Sequence, residues 1–232
     1  AVGMIFALII FETFKKYYIN ADDGLHSKKE ESSATSVQPM PKAEERQRIR
    51  SLVILYMIVI FFWMAFYQNG FALTLFAQRA TVRYSYLQPE TYQSFGAFFI
   101  LVLTPLLVYV FNKMRARGKE PSSPGKIFVG MFTAGLSIII MVFASLAGGN
   151  QDANLVSPAW LIASYFVITV AEIMVSPMGL SFVSKVAPPR MRGLMMGCWF
   201  GATAIGSYSS GLLGGFYSIF QHHVYFFLLS IL

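Results

Sequence analysis

The residue of this sequence best placed to do chemistry is Glu172, in the run VAEIMVSPMGL at 170–180. Ten of the 11 Asp and Glu residues lie in polar stretches or near the ends of apolar ones; Glu172 alone stands well inside a complete apolar run. A charged side chain at mid-bilayer costs roughly 2.5–3.5 kcal/mol on insertion scales, so it faces a cavity, pairs with a cation or takes a proton. Burial favours the neutral form of any carboxyl group, which makes a proton a natural partner. Tyr165, Thr169, Glu172, Ser176 and Gly179 recur at i, i+4, i+7, i+11 and i+14, one face of a helix. Pro177 lacks a backbone donor and predicts a bend or loosening beside the glutamate, a hinge in which Gly179 takes part. The alternative is a structural glutamate hydrogen-bonded between helices.

Two further stripes have the same character. Trp199, Thr203, Gly206, Ser207 and Ser210 share a face in a run unusually rich in glycine. Most of those glycines fit close helix packing, while the tryptophan either stacks on a ligand or packs. In FFWMAFYQNGFALTLFAQR, Trp63, Tyr67, Gly70 and Thr74 form the third stripe, and Gln68 and Asn69 add buried amides that need partners. A hydrated cavity and plain interhelix bonding both supply them. His222 and His223 are adjacent, hence on different helical faces, and read as loop residues rather than metal ligands. No HExxH, GxSxG or Walker loop is present. Glu172 has no second intramembrane carboxylate, which argues against an aspartyl-type protease. No catalytic residue, metal site or cofactor is expected. Cys198, the single cysteine, forms no internal disulfide.

These residues need helices to hold them. The chain is 56% hydrophobic and 12% charged, against about 25% charged in soluble domains, with mean hydropathy +0.57. The expected class is all-α, a polytopic helical membrane protein, because a lipid-facing backbone must satisfy its own hydrogen bonds. The alternation of a β-barrel is missing. Seven apolar segments are read: a first at 1–14, complete ones at 51–76, 94–112, 127–147, 157–184 and 194–218, and a last from Val224. The outer two are cut short, so an interior piece of a longer protein is expected. Residues 15–50 form a polar linker, disordered through KKEESSATSVQPMP, with KAEERQRIR starting the helix that follows.

The net charge of +7 is unevenly spread. If the segments alternate sides, the 15–50 linker, KMRARGKEPSSPGK at 113–126 and KVAPPRMR at 185–192 share one side. They hold 16 of the 18 Lys and Arg residues; only Arg79 and Arg83 fall on the other. The positive-inside rule makes the basic loops cytoplasmic. The basic runs therefore read as topology and contact with membrane lipids, not nucleic-acid binding.

AEIMVSPMGLSFVSKVAPPRMRGLMMGCWF resembles the proton-dependent oligopeptide transporter (POT/PTR) family of the major facilitator superfamily, with its pattern Glu-x-x-x-Ser-Pro-x-Gly-Leu-Ser, Lys-x-Ala-Pro and Met-Met-x-x-Trp-Phe. FFWMAFYQNG is similar to that family's seventh helix, and ETYQSFGAFFILVLTPLLVYVFNKMRARGKEPSSPGKIFVG to its eighth helix, loop and ninth-helix start. The resemblance implies the carboxyl-terminal six-helix bundle, truncated at both ends. Residues 1–14 would end transmembrane helix 6, 15–50 would be the cytoplasmic linker, and 51–232 would run from helix 7 to the start of helix 12.

It further implies a proton-coupled symporter importing di- and tripeptides by alternating access across the inner (plasma) membrane. Its partners would be the peptide, protons, lipid and the amino-terminal half of the transporter, and the proton gradient would drive it without a cofactor. By the same resemblance Glu172 would bind the peptide ammonium and couple protons. Ser176, Trp199, Phe200, Thr203, Trp63, Tyr67 and Gln68 would line the substrate site. Two positions depart from the family pattern. Phe66 and Tyr67 stand where many members carry an acid, and QSFGA puts Gly96 where many carry an asparagine. A related symporter for nitrate or a peptide-like drug is therefore one alternative, and a non-transporting membrane interaction or receptor module another.

Overall fold

The computed structural model describes residues 41–232 except Tyr86. The expected segment 1–14 and most of the 15–50 linker lie outside the described residues. Seven α-helices follow: α1 (Lys42–Phe66), α2 (Ala72–Arg79), α3 (Thr91–Ala116), α4 (Ser123–Ala147), α5 (Pro158–Val186), α6 (Arg192–Gly214) and α7 (His222–Ile231). Short 3-10 turns occupy Tyr67–Gly70, Pro189–Met191 and Gly215–Ser218. Among the described residues there are isolated β-bridges but no strand. KAEERQRIR is helical from Lys42 and runs without a break into the apolar segment.

Helix starts are set by local chemistry. Ser122 caps α4 by accepting from the Gly125 amide at 3.3 Å, and Ser157 caps α5 by accepting from Ala159 at 3.4 Å. A proline follows within two residues in each case, where its missing N–H leaves no helical bond unmade. Lys42–Arg79, Thr91–Ala116, Ser123–Ala147 and Pro158–Val186 are long and apolar enough to cross a bilayer. Helix α6 has the length, but its glycines and serines hold its hydropathy below theirs.

Helix α5 is the centre of the bundle and packs on α3, α4 and α6. Against α4 the contact is made by small residues. Ser137 and Ser164 each donate to the other's carbonyl, at 3.0 and 3.1 Å. Gly130 lies so close to α5 that a Cβ there would come within 2.7 Å of Val175. Between α1 and α6 the close approach is at Gly206, where a Cβ would meet Trp63 Cβ at 2.6 Å and the Ile60 carbonyl at 2.8 Å. Close backbone approach and interhelix hydroxyl bonds are how helices associate when lipid competes for their apolar surface.

The structure corrects one expectation. Segment 51–76 is not one continuous helix: it breaks into a 3-10 turn at Tyr67–Gly70, and Phe71 bonds back to the Gln68 carbonyl at 3.1 Å. The Asn69 carbonyl accepts from Thr74 Oγ1 at 3.0 Å and Tyr165 Oη at 3.2 Å. Broken backbone at membrane depth is tolerated where protein groups satisfy it in this way. Helix α5 is α-helical on both sides of Pro177.

Candidate functional site

Three elements enclose a pocket of about 400 Å³ around Glu172. The α1–α2 break contributes Phe66, Tyr67, Asn69, Gly70 and Phe71. From α3 come Gln93, Gly96, Ala97 and Ile100, and from α5 Tyr165, Thr169 and Glu172. Tyr67, Gly70 and Phe71, at i, i+3 and i+4, share a face, and the phenol of Tyr165 fixes the break beside them to α5 through the Asn69 carbonyl.

Glu172 is half-buried and makes no hydrogen bond or ion pair among the described residues. No Lys or Arg lines the pocket. Two of the polar side chains around it are already engaged: Thr169 donates to the Tyr165 carbonyl at 2.7 Å, and Gln93 donates to Thr74 Oγ1 at 3.2 Å. The pocket is therefore an open, mainly apolar recess with one carboxylate that has no partner among the described residues. A carboxylate beside the aromatic residues Phe66, Tyr67, Phe71 and Tyr165 has the chemistry to receive a cation.

Of the eight residues expected at the substrate, Glu172 and Tyr67 line this pocket. The other six do not. Gln68, next to Tyr67, turns away and is 1% exposed. Its amide nitrogen donates to the Ser210 carbonyl at 2.9 Å and to Ser210 Oγ at 3.0 Å, and its oxygen accepts from Tyr225 Oη at 2.9 Å. It joins helices.

Trp199 is 1% exposed, its ring seated on Gly179 so tightly that a Cβ there would fall 2.0 Å from Cη2. Gly179, expected at a hinge, is thus the seat of an indole. Trp63 is buried at the Gly206 contact, with its ring against Phe62 and Phe66 and its Nε1 lacking a hydrogen-bond partner among the described residues. Thr203 donates to the Trp199 carbonyl at 3.2 Å, Phe200 is exposed, and Ser176 is half-buried outside the pocket lining.

Gln93, Ala97, Ile100 and Phe71 line the pocket without having been expected there. The α3 set had a signal: Gln93, Gly96, Ala97 and Ile100 fall at i, i+3, i+4 and i+7, a helical stripe of small and polar residues at the head of the 94–112 run. Phe71 had one too: it stands at i+4 from Tyr67 and i+8 from Trp63, on the same stripe.

The bundle, with its four apolar helices long enough to cross a bilayer, defines a multi-pass helical membrane protein that carries a carboxylate pocket. A sequence profile of the POT family matches residues 15–226, and the chain belongs to that family. It is 34% identical over 179 residues to the peptide transporter YePEPT of Yersinia enterocolitica subsp. palearctica serotype O:3, a match covering 75% of this chain and 35% of that one. It is also 34% identical over 183 residues to dipeptide and tripeptide permease A of Escherichia coli K12, with the same coverage of each. The crystal structure of a peptide transporter POT in complex with sulfate superposes with a TM-score of 0.74 at 26% identity, over 99% of this chain and 48% of that one. The fold is thus the all-α bundle of these major-facilitator transporters. The chain spans about a third of the length of the curated relatives it matches and about half of the solved structure.

Proposed function

We propose that this chain is the carboxyl-terminal half of a proton-coupled symporter that imports di- and tripeptides by alternating access. The observation that carries this reading is Glu172: a half-buried carboxylate in an otherwise neutral pocket, with no partner among the described residues. A peptide ammonium supplies the missing charge, and in its absence a proton or a cation from the amino-terminal half does so. Exchange between these partners is what links a proton to a peptide. The names of the relatives, a peptide transporter and a dipeptide and tripeptide permease, point to the same substrate class. In this reading the basic loops face the cytoplasm, the membrane is the inner (plasma) membrane, and the proton gradient is the only driving agent, with no cofactor.

The test is uptake of a labelled dipeptide by the full-length protein in liposomes carrying an inward proton gradient. Accumulation is expected in the wild type. In Glu172→Gln, gradient-driven accumulation falls to the level of empty liposomes while counterflow without a gradient persists in part. Wild-type accumulation by Glu172→Gln sinks the coupling role.

One observation favours a second reading. Tyr67 and Gly96, the two departures from the family pattern, both line the pocket. A proton symporter for another small solute would show the same gradient-dependent uptake, but no competition from dipeptides.

A further inference from the structure

Two glycines line the pocket with Glu172. A Cβ built on Gly96 would meet nothing nearer than Tyr165 Cδ1 at 4.0 Å, and one built on Gly70 would meet nothing within 4 Å. At Gly130, Gly179 and Gly206 helices touch and leave no room for a methyl group. Gly193, Gly197, Gly201 and Gly215 also have no neighbour within 4 Å, but they do not line the pocket. At Gly96 and Gly70 no neighbour requires a small residue, and the space they leave belongs to the pocket. Phe66, Tyr67, Phe71, Ile100 and Tyr165 make its lining mainly apolar, with Asn69, Gln93, Thr169 and Glu172 as the polar members.

We infer that this pocket selects, among ammonium-bearing substrates, those with a bulky apolar or aromatic group on the carbon that carries the ammonium, and that Gly96 is the residue that makes room for it. The inference rests on the peptide reading above and narrows its substrate class. The geometry of a dipeptide supports it. The first side chain branches from the same carbon as the ammonium, so an ammonium on Glu172 brings that side chain into the space beside Gly96. The second side chain is a further residue away, about 3.8 Å along the chain, and leaves that space. Burying a benzyl group in an apolar site strengthens binding roughly ten- to hundredfold. The pocket holds no cation among the described residues, so the substrate carboxylate does not compete for this end.

The experiment is equilibrium binding to the purified full-length protein by isothermal titration, with uptake measured in parallel. The probes are phenylalanyl-alanine, alanyl-phenylalanine and alanyl-alanine. In the wild type, phenylalanyl-alanine should bind about tenfold tighter than alanyl-phenylalanine. Gly96→Leu, which fills the space without straining the helix, should lower the preference for phenylalanyl-alanine over alanyl-alanine about tenfold. Gly96→Ala should lower it by a few-fold, which keeps the test intact if the larger residue impairs folding. Equal binding of the two phenylalanine isomers, or an unchanged preference in both variants, overturns the inference while uptake still upholds transport. The expected binding order without any uptake overturns transport and leaves the inference standing. No binding of any dipeptide overturns both.

Discussion

Glu120 accepts from Arg115 Nε at 2.6 Å and from Lys126 Nζ at 2.5 Å, in the loop between α3 and α4. Lys126 is buried against the ring of Phe111, 4.3 Å from its centroid, so Glu120 is the counter-charge that lets an ammonium sit there. Hydrogen bonds from Arg115 first, and then from Lys126, hold the Glu120 carboxyl down at about 2. A depressed folded value contributes stability above the ordinary carboxylate range, and loses it as pH falls towards the folded value. The α3–α4 connection is therefore insensitive to pH between 5 and 8. Thermal unfolding of the full-length protein in detergent should show Glu120→Gln less stable than wild type at pH 7, with the gap closing only below about pH 4. A gap that already closes between pH 5 and 6 would show that the carboxylate is not held by both cations. Glu172, the other carboxylate at issue, has no such cations beside it, and that difference separates an ion pair that fastens from a site that waits.

At the scale of elements, the break between α1 and α2 is held from both sides. On the pocket side Tyr165 bonds the Asn69 carbonyl; behind it the Gln68 amide bonds Ser210 of α6 and Tyr225 of α7. Removing the amide leaves the Ser210 hydroxyl and the Tyr225 phenol to find partners, although Tyr225 can still donate to the Leu213 carbonyl at 3.2 Å. Gln68→Leu should therefore cost about 1–3 kcal/mol of stability. It should also weaken dipeptide binding, because Tyr67 and Asn69 lose their anchor. Adding Ser210→Ala and Tyr225→Phe removes the stranded groups and should recover much of the stability without recovering binding. If binding returns with stability, the network fastens helices and does not place the pocket wall. The sequence made the six apolar runs from residue 51 onward, and the stripe through Glu172, plain, because hydropathy and the 3.6-residue period report burial directly. It could not show the break: YQNG lies inside a run that stays apolar on both sides, and only tertiary bonds to Tyr165, Ser210 and Tyr225 select the 3-10 turn. For the same reason the stripe left Trp199 open between a ligand and packing: its ring meets Gly179, and no periodicity tells a cavity from a neighbouring helix that offers a glycine.

For the whole molecule, the connections sort into two sets. The bridge between Thr81 and Val156 ties the 80–90 connection to the 148–157 connection. Arg79 reaches Ser218 Oγ at 3.4 Å, and His222 Nε2 lies 3.2 Å from Asp152 Oδ1, which brings the α6–α7 connection to the same end. These three connections and their flanks carry two Lys or Arg residues, Arg79 and Arg83. The connections at 117–122 and 187–191 and their flanks carry eight. By the positive-inside rule, the proposed orientation keeps the basic loops in the cytoplasm and puts the tied, nearly neutral end on the other side. The prediction is made on the full-length protein with Cys198, which is exposed on α6, replaced by serine. Lys119→Cys should react with a membrane-impermeant maleimide only in inside-out vesicles, and Gln88→Cys only in intact spheroplasts. Both positions are exposed, so reactivity reports the side and not burial. The reverse pattern would invert the bundle in the membrane.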